Sequence, residues 1–218
     1  MFVGHYGPSF AAKAWANTVP LWLLFLAVQL VDVLWAVFVL LGIEKVRIVP
    51  GITATNPFDL YFMPYTHSLL AAVVWSVIAA VGYRFLVRVD RWLAAAIVGA
   101  AVFSHWVLDL LVHRPDLPLY DDHYKVGFGL WNYPALGFAL EIALLFGGLA
   151  LYLKATVPKD NVGRYGLPVL SLVMVAIQAY VFFGPPPTSD TSFALTALAL
   201  YFGLAAIIYW LEGKRSVA

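Results

Sequence analysis

The sequence predicts an all-α membrane protein, a polytopic helical bundle of about six transmembrane helices with a short N-terminal helix that is interfacial or re-entrant. Three observations predict it. Of 218 residues, 63% are hydrophobic and 11% charged, and the mean hydropathy is +0.86, whereas soluble domains carry about 25% charged residues. Apolar runs recur along the chain, each long enough for a hydrocarbon core of about 30 Å. All 13 Lys and Arg residues can be placed outside those runs or at their ends, as the cost of charge at membrane depth requires.

The runs cover residues 19–43, 67–88, 92–112, 133–154, 165–184 and 191–211. Ahead of them, residues 8–18 open with Pro8 and Ser9 and read as a helix too short to span. The segment 44–66 is rich in turn formers and aromatics (Pro50-Gly51, Asn56-Pro57, Pro64-Tyr65) and forms a long connector, as does 113–132. Pro185-Pro186-Pro187 ends the fifth run. We read one domain, 1–218, with a candidate site in 1–145 and two further spans in 165–211. The Lys and Arg count gives orientation. With the N-terminus inside, the inner segments hold Lys13, Arg84, Arg88, Arg91, Lys154, Lys159, Arg164, Lys214 and Arg215, against Lys45, Arg47, Arg114 and Lys125 outside. Both termini are then cytoplasmic, and the two long connectors lie outside.

A net charge of +1 and the absence of any basic run exclude a nucleic-acid partner. With no cysteine, a metal site must be built from His, Asp and Glu. Only Asp32, Asp109 and Glu141, of 12 acids, fall within the spans. In the third span His105, Asp109 and His113 recur every four residues, on one helical face, each pair about 6 Å apart along the axis. His67 begins the second span, Asp32 lies near the middle of the first, and Glu141 sits at a depth close to that of His105. Buried carboxylates with histidines and no basic partner repel one another unless protonated or bound to a cation. The alternative for each residue is an interhelical hydrogen bond. His5 reaches this level only if the first residues re-enter the bundle. His123 and Asp121-Asp122 read as a solvated turn, while Arg114, Trp131 and Asn132 are placed to line the mouth of the site and meet a substrate.

At His5, Asp32, Tyr65-Thr66-His67-Ser68 and Ser104-His105 with Asp109, the chain resembles the YdjM-like family of prokaryotic inner-membrane proteins, described as metal-dependent hydrolases. More distantly, the order of His5, Asp32, His67, His105, Asp109, His113 and Glu141 is similar to that in the zinc-dependent phospholipase C and single-strand nuclease superfamily. The chain departs from that superfamily in having Gly137 four residues before Glu141 and no N-terminal Trp ligand, so one or two ions are implied rather than three. The resemblance implies a prokaryotic cytoplasmic-membrane hydrolase. Its cofactor would be a divalent metal, zinc first, held by His67, His105, Asp109 and Asp32 with His5 or His113. Glu141 or Asp32 would serve as general base. An outward-opening site suggests a lipid or lipid-linked ester or phosphoester, with Arg114 or Lys125 meeting a phosphate. The alternatives are a proton or cation transporter, or a structural subunit of a membrane complex, using the same buried groups. A bis-histidine haem on His67 and His105 is a minor third.

Overall fold

The computed structural model describes residues 1–15, 17–87 and 92–217. Arg88 and Arg91, counted above on the inner side, lie outside the described residues. The chain is mostly helical. A 3-10 turn at Val3–His5 leads into α1 (Tyr6–Trp15), followed by α2 (Leu21–Val28) and α3 (Leu30–Leu40). Then come α4 (Leu69–Leu86), α5 (Trp92–Val112), α6 (Pro134–Lys154), α7 (Asn161–Phe183) and α8 (Asp190–Glu212).

By length and composition, α4 through α8 can each cross a membrane, with mean hydropathies of 1.9 to 2.0. Local chemistry sets their starts. Ser68, Asp160 and Ser189 cap α4, α7 and α8 by accepting a backbone N–H three residues on, and Pro134 occupies the first turn of α6, where no N–H is needed. The exposed face of α4 carries Val73, Val77, Ile78 and Val81, and the exposed face of α7 carries Val169, Leu172 and Val173. Exposed aromatics gather towards both ends of the bundle, with Trp15, Trp92 and Trp210 at one and Tyr65, Tyr120 and Tyr133 at the other, as in membrane-interface belts.

Two features depart from the sequence expectation. The first predicted span is not one helix: α2 and α3 meet at 53°, with neither Pro nor Gly at the break. There the Val28 carbonyl accepts a hydrogen bond from His105 Nδ1 at 2.7 Å, and a side chain inserted into the helical ladder is a recognised cause of a sharp kink. Nor is the fold purely helical. In 44–66, β1 (Lys45–Ile48) pairs antiparallel with β2 (Phe58–Phe62), and at the far end β3 (Thr156–Pro158) pairs with β4 (Arg215–Val217).

The N-terminal segment enters the helical bundle. It runs inside the bundle, where α1 packs between α6 and α2 and buries Tyr6, Ser9 and Phe10. A Cβ on Gly148 would strike the Gly7 carbonyl, and one on Gly7 would strike that of Leu144, so the two backbones touch where both helices have glycine. At its far end α1 is anchored by Lys13, which lies 2.8 Å from Glu212 on α8. Its near end is thereby held among α5, α6 and the α2–α3 break.

Candidate metal centre

Four elements bring six ionisable side chains to one buried point. His105 and Asp109 come from α5, and His113 follows its last turn. His67 directly precedes the cap of α4, Asp32 lies on α3, and His5 is carried in by the 3-10 turn. The four histidines and Asp109 are buried, with side chains 0 to 4% exposed, whereas Asp32 is 17% exposed. Asp32 Oδ1 is 3.3 Å from His67 Nε2 and 3.5 Å from His105 Nε2. Asp109 Oδ2 is 3.1 Å from His105 Nε2, 3.5 Å from His113 Nε2 and 3.8 Å from His67 Nε2. The other oxygen of Asp109 is 3.1 Å from His5 Nε2 and 2.6 Å from the α-amine of Met1.

These separations suit a cation. Zinc bonds of about 2.0–2.1 Å place tetrahedral ligands about 3.3–3.4 Å apart. The direction of His105 is more telling than its distance. Its Nδ1 faces the Val28 carbonyl, so in the neutral ring Nδ1 carries the proton and Nε2 carries a lone pair. That Nε2 is buried beside two carboxylates, yet it has no hydrogen-bond partner. A lone pair facing carboxylate oxygens is repulsive, and a cation between them reverses the sign.

His67 and His113 are oriented in the same way. The Thr66 hydroxyl donates to Glu44 Oε2 at 2.6 Å and accepts from His67 Nδ1 at 2.8 Å, and His113 Nδ1 donates to Asp116 Oδ1 at 2.8 Å. Three imidazoles thus turn Nε2 inward. Two donor triads, His5–His105–Asp109 and Asp32–His67–His105, have ligand atoms within 4.8 Å of one another and share His105. The His5 and His105 rings are stacked, 3.9 Å apart and 7° from parallel, and each presents Nε2 to a different oxygen of Asp109. These buried His and Asp groups could hold a metal ion.

The remaining expected residues are placed otherwise. Glu141 is fully engaged: its Oε2 accepts from the backbone N–H of Phe2 at 2.8 Å and of Gly4 at 3.2 Å, and its Oε1 from Gln178 at 2.9 Å. It fastens the segment that delivers His5. Arg114 bridges Asp116 and Asp59. Trp131 packs its ring on His113 at 4.2 Å, while Asn132 and His123 are exposed.

Several contributors carry no sequence signal of their own. Tyr201 of α8 donates to Asp32 Oδ2 at 3.0 Å and Gln178 of α7 holds Glu141, so the last two helices support the site as well. Asp116, three residues after His113, could have been found from that spacing. Comparison of the chain with family models, curated proteins and solved structures gives no match.

Proposed function

We propose that the protein is a membrane-embedded metal-dependent hydrolase of the YdjM-like kind, acting on an ester or phosphoester of a lipid or lipid-linked substrate. The observation that carries this reading is the buried, unpartnered Nε2 of His105, flanked by two carboxylates. The nitrogen and oxygen donors of His67, His105, Asp109 and Asp32, with His5 or His113, fit zinc, and two overlapping triads leave room for one or two ions. A bound divalent cation would lower the pKa of water towards about 7 and polarise a phosphoryl or acyl oxygen.

The protein's own groups divide the remaining work. Asp32 is the most exposed member of the site, so an arriving substrate meets it first. Its Oδ2, held by Tyr201, is placed to take a proton from an attacking water. The buried histidines and Asp109 exclude bulk water from that point. The apolar faces of α4 through α8 support a site reached from within a bilayer, the basic-residue count supports an orientation with the β1–β2 end outward, and the resemblance to the YdjM-like family is what suggests a prokaryotic cytoplasmic membrane.

The test is the metal content of purified full-length protein, with His105→Ala and Asp109→Ala beside it, followed by hydrolysis of soluble phosphodiester and carboxyl-ester probes. Stoichiometric metal lost in both variants is expected. Absent metal, or metal unchanged by the substitutions, would overturn the proposal in favour of a proton relay through the same groups.

A further inference from the structure

Two acids that are too far back to touch a cation nevertheless govern the imidazoles that would. Glu44 is 1% exposed and lies in the turn before β1. It accepts from the backbone N–H of Tyr65 at 2.8 Å and of Thr66 at 3.0 Å, which fixes the turn ahead of α4. Those two bonds would suffice for a structural role. The third partner goes further: because the Thr66 hydroxyl spends its only proton on Glu44, its lone pair is what remains for His67 Nδ1, and His67 must donate there. His67 Nε2 is thereby left as a lone pair facing Asp32 and Asp109.

The second acid does the same without an intermediary. Asp116, 4% exposed, accepts from His113 Nδ1 on one oxygen and from Arg114 Nε on the other. Arg114 also pairs with Asp59 of β2, which in turn holds Arg47 of β1. The hairpin and the 113–132 connector are in this way tied by alternating charges to a ring at the rim of the site.

We propose that Glu44, acting through the Thr66 hydroxyl, and Asp116 are positioning residues that fix the tautomer and direction of His67 and His113, so that their Nε2 atoms meet a divalent cation. This rests on the metal reading of the site. A carboxylate behind an imidazole raises its basicity and fixes its ring, and loss of such a partner typically weakens metal binding about 10–100-fold.

The probe is Co²⁺, titrated into metal-free full-length protein in detergent and followed by its visible absorption. Thr66→Val keeps the shape and removes the hydroxyl, Thr66→Ser restores it, and Asp116→Ala removes the second acid. Thr66→Val and Asp116→Ala should each weaken Co²⁺ binding about 10–100-fold and shift the spectrum, with Thr66→Ser returning both to wild type. Thermal melting of the metal-free proteins runs beside this, and if Asp116→Ala does not fold, the near-isosteric Thr66→Val decides. A Thr66→Val protein that binds Co²⁺ with wild-type affinity and spectrum overturns this inference alone, even if its melting temperature falls. A wild type that gives no Co²⁺ spectrum overturns the metal reading along with it.

Discussion

Substitution of Glu141 separates a residue that holds the N-terminal segment from one that takes a proton. In Glu141→Leu, three donors lose their acceptor inside the bundle: the N–H groups of Phe2 and Gly4 and the amide of Gln178. Each abandoned buried donor costs about 1–3 kcal/mol. The sum, on the order of 5 kcal/mol, is comparable with the lower end of the 5–15 kcal/mol or so that holds a domain folded. The segment can recover part of this by leaving the bundle for water, and His5 leaves with it. Glu141→Gln should behave differently. The new amide oxygen still serves the two backbone donors, while its NH₂ meets Gln178, whose own carbonyl oxygen is buried without a partner. A flip of the Gln178 amide restores that bond, so the loss is only the charge-assisted share, about 1 kcal/mol per bond. The assay is denaturation in detergent with metal content and hydrolysis measured on the same preparations. The leucine variant is expected to be strongly destabilised and depleted in metal, and the glutamine variant to lose only about 2–3 kcal/mol of stability and to keep its metal. A general base predicts instead that Glu141→Gln is folded and metal-loaded but slowed about 10²–10⁴-fold. That result, or a leucine variant as stable as wild type, would refute the reasoning.

Two further expectations concern the bilayer and pH. Val77 on α4 is 56% exposed on an apolar face. Val77→Lys should therefore reduce insertion in a membrane-integration assay by about 2.5–3.5 kcal/mol if that face meets lipid, and cost almost nothing if it meets water. Burial pushes the Glu44 carboxyl above its ordinary value of 4.5. A carboxyl that binds its proton more tightly when folded adds stability below its unfolded pKa and gives it up as pH rises through the folded one. Wild type should thus lose melting temperature relative to Glu44→Gln as pH climbs from the ordinary carboxylate range towards neutrality, and parallel profiles would count against the shift.

The long helices were legible because a membrane demands about 20 apolar residues at a stretch, and the observed bounds of α4, α5 and α6 fall within two residues of the predicted ones. The same logic made Asp32, His67, His105 and Asp109 legible, since ionisable groups in such stretches are expensive and need a reason. The break after Val28 was not, because the hydrogen bond to its carbonyl comes from a histidine 77 residues further on. The pairing of Arg114 with Asp59 and Asp116 was not legible, because an arginine in a loop looks the same whether free or paired. Tyr201 and Gln178 were hidden for the opposite reason, being neutral side chains that scarcely mark an apolar run. The alternation in Lys45-Val46-Arg47-Ile48 was available as a strand signal, but at four residues it is no longer than many turns.

The bond between Phe2 and Glu141 spans 139 residues of chain, which turns an architectural detail into a matter of timing. At about 5–20 residues per second on the ribosome, the segment bearing His5 is made roughly 7–30 s before its carboxylate partner exists. For that interval Phe2, Tyr6 and Phe10 lack the α6 surface that later buries them. His5 meets Asp109 of α5, but the segment that carries it gains its Glu141 anchors only once α6 is in place. The yield of active protein should therefore depend on how fast the chain from His5 to Glu141 is made.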